Sequence, residues 1–547
     1  MNLVQDPWLP FQLRDGSVQT LPMSAICHPE IVDFALPRAD FQGAAYQFAI
    51  GLLQTVFAPE DEIAWHDHYD KPPEEQQLIS AFAQVLHAFN ITGDGALFMQ
   101  DFTELSEKKS TTVAGLLIEA PGANGLKLNT DHFIKRGIGE VMSLEMAILA
   151  LFTLQINAPS GGAGHRVSLR GGGPLTTLVL PQHENASLWQ KLWLNVINQD
   201  EWRYVKPNFN DGSVFPWLAA TKTSDKKGTE LYSSDVHPLH MFWAMPRRIR
   251  LIVVNETQVC QVSGRISKQS VREYRTKNYG NNYSGTWSHP LTPYKWNPKK
   301  PEEEHLSGKG QPGGITYKTW DNLTYSSDSV GQRCAAVISH FYTLFELFTD
   351  VQSQVPRLWV FGYDMDNMKA RCWYSSTMPL FASPPEQQEE ILREIKLLQV
   401  LATNALWYCR SNIEQAWFDD DKTNQKKPKR DLTFIDSAFW QRSEGYFFTV
   451  VADLIHSAQN TQNAQNTQNT QNTQETISPE TAKVWLQAIR NTCLDLFDEY
   501  VLSELGNARS MAKCIKARQG LAGWLFAGKE IKAFMENHQI AIKKEIA

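Results

Sequence analysis

From about residue 385 the chain keeps a single helical period, and that period constrains its last third more than any other feature does. After the breaker SPPEQ, the residues Ile391, Ile395, Leu398, Ala402 and Ala405 recur at helical spacing. FIDSAFWQRSEGYFFTVVADLIHSA predicts a second helix. PETAKVWLQAIRNTCLDLFDEYVLSEL, with Trp485, Ile489, Cys493 and Leu496 on one stripe, predicts a third, and Ala508 to Phe534 a fourth. An apolar stripe on a helix must be buried against another element. Four such helices with short or unstructured joints therefore predict an antiparallel four-helix bundle over residues 385–547. Between the second and third lies AQNTQNAQNTQNTQNTQET, with no apolar residue larger than alanine. Such a repeat cannot bury enough surface to order itself, so a disordered Gln/Asn/Thr-rich insertion is expected at about 458–476. The first two helices are joined by DDDKTNQKKPKRD, an exposed loop in which Lys422, Lys426, Lys427, Lys429 and Arg430 follow three aspartates.

Residues 1–384 show no such single period. LEMAILALFTLQI reads as a helix ended by Asn157 and Pro159, followed by a glycine-rich loop. TTLVLP and PRRIRLIVV read as strands. LWVFGYDMDNMKARCWYS has two apolar or aromatic arms around a polar DMDN centre, the pattern of a hairpin with a projecting tip. At 547 residues the chain is too long for a single core. The expected fold class is α+β: a large mixed α/β N-terminal domain over 1–384, then the helical bundle over 385–547.

No apolar run reaches the length of a membrane span, and the opening MNLVQDPWLP lacks the basic-then-apolar order of a secretion signal. A cytoplasmic protein with no membrane partner is expected. The seven cysteines form no CxxC pair, which argues against both a disulfide framework and a cysteine zinc site and leaves them as buried thiols.

The net charge of −7 argues at first against a nucleic-acid partner, but the charge is segregated. From Met245 to Lys300 there are eleven Lys or Arg (247, 248, 250, 265, 268, 272, 275, 277, 295, 299 and 300) against Glu256 and Glu273, so the segment is +9 and the rest −16. Tyr274, Tyr279, Tyr283, Trp287, Tyr294 and Trp296 are interleaved with these charges. Such side chains could pack on bases beside a phosphate-binding surface; the bland alternative is a solvated loop. One rival function follows, a free-standing single-strand-binding protein. A second rival is an HD-type metal-dependent nuclease, because in an extended segment His66, His68 and Asp70 of WHDHYD would share one face.

Several segments together resemble the large-subunit (CasA/Cse) family of type I-E CRISPR Cascade surveillance complexes. They are DPWLP (6–10), LPRADFQGAAYQFAIGLLQTVFAP (36–59), INAPSGGAGHRVSLRGGGPLTTL (156–178), HMFWAMPRRIRL (240–251), WSHPLTP (287–293), the FGYDMDN hairpin and NARSMAKCIKA in the last helical stretch. Their shared order along the chain carries the resemblance. It implies a non-catalytic protein that reads the PAM in double-stranded target DNA, helps to open it and contacts the displaced strand. The implied partners are the crRNA-bearing Cascade subunits and a recruited helicase-nuclease, with no cofactor. The family's aromatic loop would fall on NTDHFIKRGIG, with Phe133 at the aromatic position and Lys135 and Arg136 beside it. Its glycine loop would be Ser160, Gly161, Gly162, Ala163 and Gly164, where small residues let the backbone enter a groove. Arg166 stands where a P-loop would need Gly-Lys, and the loop follows a helix rather than a strand, so a phosphate-binding P-loop is not indicated. The wedge would be Asp366, Asn367 and Met368, with Asn367 in place of the family's glutamine. The basic finger would fall near Asn278, with Lys277 beside it. Some members of the family hold a structural zinc; the matching positions here are Ser143, Met146, Cys260 and Ser263, and one thiol cannot replace four ligands. No zinc is expected.

Overall fold

The computed structural model describes residues 1–120, 137–162, 164–348, 351, 355–366, 368–383, 385–418, 431–467, 477–503 and 511–540. The chain folds as two compact units, Met1–Gln311 with Asp328–Thr377, and Pro312–Ser327 with Met378–Ala547. Helix and sheet are both present, as an α+β chain requires.

The first unit begins with an antiparallel meander in which Leu9–Leu13 pairs with both Val18–Leu21 and Ile31–Phe34. Helices Ala39–Val56 and Leu144–Asn157 follow along the chain. Both are apolar nearly all round and nearly all buried, which marks them as interior helices rather than surface ones. Around them Phe48, Phe89, Phe98, Phe152 and Trp243 meet largely edge to face, with Phe48 and Trp243 centroids 5.8 Å apart. Arg248–Val254 pairs antiparallel with Ser270–Lys277, whose other neighbours are Ser110–Thr112 and Met142–Ser143. A separate sheet holds the hairpin: Arg357–Asp366 runs between Lys369–Pro379 and Thr176–Leu180, with Phe361 opposite Thr176 and Arg357 opposite Leu180. Strand Arg357–Asp366 buries Leu358 and Val360 two residues apart and then every residue from Phe361 to Asp364, and cross-strand pairs such as Trp359 Nε1 to Ser375 Oγ at 2.9 Å fix the register.

In the second unit, helices Gln388–Trp417, Thr433–Thr467, Pro479–Phe497, Met511–Ala527 and Lys529–Asn537 pack on one another. Ile395, Leu398, Ala402 and Ala405 of the first and Trp485, Ile489, Cys493 and Leu496 of the third are buried as their spacing predicts. The expected fourth helix is two: it breaks at Gly528, whose extended backbone (ψ 152°) starts a new helix and whose missing side chain leaves room for the Trp524 carbonyl. Helical backbone also runs to Thr467, inside the repeat expected to be a linker from about 458. An established helix adds residues at little cost, and alanine and glutamine do not resist it. The rest of the repeat and the Lys-rich loop lie outside the described residues.

Two further expectations change. The stretch Pro312–Ser327 belongs with the helical unit, because Tyr317 stacks on Phe447 at 4.3 Å, its hydroxyl meets Ser443 at 2.8 Å, and its carbonyl accepts from Gln399 Nε2 at 2.8 Å. Periodicity along the chain carries no trace of such long-range packing. Six of the seven cysteines are buried, but Cys372 is exposed on the return strand of the hairpin.

Candidate nucleic-acid interface

Helix Leu144–Asn157 delivers the chain to the glycine loop. Its last turn is tied down by Gln155, which donates to the carbonyls of Met99 (3.2 Å) and Arg247 (3.0 Å) and accepts from the Arg247 amide at 2.9 Å. The Arg247 guanidinium then donates to the Pro159 carbonyl. Ser160, Gly161 and Gly162 are exposed above it, and a tight turn closes on itself through His165 N to Gly162 O at 2.8 Å. Gly162 and Gly164 have φ of +65° and +82°, conformations that a side chain rarely adopts.

Two elements from elsewhere in the chain meet this loop. The turn after strand Ser270–Lys277 brings Tyr279, whose amide donates to the Gly164 carbonyl at 2.8 Å. Its ring lies so close that a Cβ on Gly164 would stand 2.7 Å from two ring carbons. Arg166 clamps the same turn through Ser224: Nε donates to Ser224 Oγ at 2.7 Å, and that hydroxyl donates to the Gly280 carbonyl at 2.6 Å. From the other side comes the hairpin, with Met368 Sδ 3.8 Å from where a Gly162 Cβ would stand and, apart from the chain neighbours, no other described residue within 4 Å of that point. Met368 is 54% exposed. Behind the tip, Asp364 is buried and takes a bidentate pair from Arg371 at 2.7 and 3.1 Å. Asp366 is exposed and lies 3.8 Å from the same arginine, so its charge is partly offset.

Of the residues singled out in the sequence, Ser160, Gly161, Gly162, Gly164 and Met368 come together on one surface, next to the turn that carries Lys277 and Asn278. Lys277 is half-exposed and pairs with Glu107 at 3.6 Å. Phe133, Lys135, Arg136, Ala163 and Asn367 lie outside the described residues. Sequence reasoning named Tyr279 only as one of six aromatic residues of the basic segment and gave Arg247 and Arg166 no part in holding the loop. Their partners are remote in sequence, and the only local hint was an aromatic residue before a glycine in the basic segment.

That segment separates its charges from its aromatics: Arg265, Lys268, Arg272, Lys295, Lys299 and Lys300 are exposed, whereas most of its aromatic residues are not. Arg247, Arg248 and Arg250 are buried. Arg248 pairs with the fully buried Asp101 at 2.5 and 3.3 Å, and Arg250 donates to the Asp101 carbonyl at 3.0 Å. Burial draws the Arg247 guanidinium down to about 10, and burial together with that neighbouring cation lowers His165. Tyr274, Tyr283, Trp287 and Tyr294 are core, and Trp296 stacks on His305 at 4.3 Å. Tyr279 alone of the six is more than a third exposed, at 42%.

The HD motif also reads differently in three dimensions. WHDHYD forms helix Glu62–Asp70 rather than an extended segment, so His66 and His68 diverge. His66 stacks on Phe348 at 4.1 Å, and His68 packs against Phe57 at 5.2 Å and Trp193 at 5.6 Å. Among the described residues no group of three His, Cys, Asp or Glu is placed to hold a metal ion. Ser143, Met146 and Ser263 line one cavity. Cys260 beside them accepts from the Ser263 amide at 3.4 Å, and Ser143 Oγ is occupied as a helix cap, accepting from the Met146 amide at 3.3 Å. One thiol, one thioether and two hydroxyls do not fit a tetrahedral zinc ion.

Solved structures share this fold throughout. Thermobifida fusca Cse1 superposes with a TM-score of 0.65 at 15% identity, covering 99% of each chain. Thermus thermophilus CasA (Cse1) gives 0.63 at 16% identity, over 96% of this chain and 99% of that one. A chain of a CRISPR RNA-guided surveillance complex gives 0.65 at 15% identity, again over 96% and 99%. The family model for CRISPR-associated protein Cse1 matches residues 2–496, and this chain therefore belongs to the Cse1 family.

Proposed function

We propose that this chain is the large, non-catalytic subunit of a type I-E Cascade complex. On this reading it works in the cytoplasm, recognises the PAM in double-stranded target DNA, starts the unwinding that leads to an R-loop, and helps to recruit the helicase-nuclease that cuts. The reading rests on one observation above all. The glycine loop, the Lys277–Gly280 turn and the hairpin tip at Met368 meet on a single face, and the loop between them offers backbone rather than side chains. A backbone surface held by a buried arginine suits close approach to a DNA groove, where phosphate and groove contacts fix register. Membership of the Cse1 family and likeness to a chain from an RNA-guided surveillance complex support the partners: crRNA-bearing subunits, the target duplex and its displaced strand. The C-terminal helices are read as a four-helix bundle whose last member is broken at Gly528.

The test is steric. Gly162→Ala and Gly162→Trp carry the same backbone penalty for φ +65°, and among the described residues beyond its chain neighbours a Cβ there meets only Met368 Sδ. The difference between the two variants therefore reports bulk. In the assembled complex, Gly162→Trp should weaken PAM-duplex binding by more than about 1 kcal/mol relative to Gly162→Ala, the scale of one poor base-pair contact. Equal affinities would remove the loop from the site.

A further inference from the structure

Tyr279 occupies a conformation that its residue type disfavours. Its φ is +64°, in the left-handed region where bulky residues are rare, yet it lies on the surface rather than in a packed core that could impose the geometry. The backbone around it is held from three sides: its amide donates to Gly164 O at 2.8 Å, its carbonyl accepts from Ser224 N at 3.2 Å, and Asn281 Nδ2 donates to Met245 O at 3.0 Å. One part of the ring rests on Gly164, and 42% of the residue is open. Its hydroxyl has no hydrogen-bond partner among the described residues. A strained, rigidly framed and half-open aromatic beside a functional surface is how proteins present a stacking face.

We propose that Tyr279 is a stacking platform for a nucleic-acid base freed from the duplex beside the glycine loop. This deepens the reading given above and rests on it. The ring is fixed against Gly164, and Met368 stands beyond Gly162, so the loop is flanked by two apolar side chains. A base displaced by the tip would lose its stacking neighbour, and a tyrosine face replaces that contact without regard to sequence. The ring thus acts after opening, whereas the glycine backbone acts on the closed duplex.

The test uses the assembled complex and a target duplex with 2-aminopurine as the first displaced-strand base beyond the PAM. Tyr279→Phe keeps the ring and should keep both the stacking quench and the rate of R-loop formation. Tyr279→Leu keeps apolar bulk without a flat face, and Tyr279→Gly relieves the left-handed backbone and so spares folding. Both should lose the quench and slow R-loop formation by about fivefold or more. A native quench and rate in the leucine and glycine variants would overturn the proposal, and so would a phenylalanine variant as impaired as they are. If Gly162→Trp weakens PAM-duplex binding while the Tyr279 variants behave as the native chain, the stacking role alone falls. If Gly162→Trp binds the duplex as well as Gly162→Ala does, the reading beneath it falls too.

Discussion

Arg247 shows what a charge count cannot. In the sequence it belongs to a segment of +9, an apparent phosphate-binding surface. In the fold it is a strut, buried and bound to the carbonyl of Pro159 beneath the glycine loop. Arg248 is likewise spent on Asp101, 147 residues away. Such pairings are invisible to spacing, because neither partner carries a local sign of the other. Glu201 makes the same point for acids, and it supports a prediction. It lies 3.8 Å from Nε2 of the fully buried His340, with Glu62 nearby, and burial first and the Glu62 charge second push its carboxyl up to about 7 from an ordinary 4.5. Below the lower value both native and unfolded chains hold the proton. Between the two values the native chain holds a proton that the unfolded chain has released, so this group's contribution to stability falls as pH rises. Glu201→Gln keeps the shape and removes the titration. Its melting temperature relative to the native chain should climb between about pH 5 and pH 8. A difference that stays flat across that range would show that Glu201 does not titrate there.

At the scale of elements, much was legible. The apolar stripes of the C-terminal helices follow from period, because burial on one face is what period encodes, whereas the interior helix Leu144–Asn157 and the hairpin follow from apolar or aromatic runs bounded by breaking or polar residues. The failures share a cause. An extended WHDHYD would put its histidines on one face, but Trp65 and Tyr69, four residues apart, are both buried and stack at 5.1 Å, which is a helical pairing. Gly528 breaks a helix only because the chain turns there against Trp524, a local event that an apolar stripe passes over. The candidate site was legible through its glycines and its hairpin pattern, whereas the contact that joins them, Tyr279 on Gly164, was not. The hairpin carries its own prediction. Its base is fixed by pairing with Thr176–Leu180 and by the Arg371–Asp364 bridge, so alanines at Asn367 and Met368 should leave the arms intact. Opening a base-pair step costs a few kcal/mol, and the exchange of DNA duplex for RNA–DNA heteroduplex is nearly balanced, so on the proposed reading a small wedge is enough to decide initiation. The double variant should slow R-loop formation on intact duplex and spare binding to a target already unpaired beside the PAM. An equal effect on both substrates would rule out a wedge.

The whole molecule carries a net charge of −7, and its most basic stretch is split: three arginines are buried, Lys277 and Lys300 pair with Glu107 and Glu303, and Arg265, Lys268, Arg272, Lys295 and Lys299 are exposed. Affinity for nucleic acid without sequence preference comes mainly from cations that displace counterions from phosphates, and cations facing inward displace none. On the proposed reading, so few exposed cations on a net-negative chain leave it dependent on partners that carry the guide and hold the duplex more than on its own field. The isolated protein is therefore expected to bind PAM duplex and single strands about equally weakly, with a shallow dependence on salt. The assembled complex should distinguish a PAM duplex from one lacking the motif. The same mixtures supplied with magnesium or manganese should show no cleavage by the isolated chain, since His66 stacks on Phe348 and His68 packs against Phe57 and Trp193 rather than the two being held together. Tight, steeply salt-dependent single-strand binding by the isolated chain would favour a free-standing single-strand-binding protein. Metal-dependent cutting that disappears in His66→Ala would make the chain a nuclease.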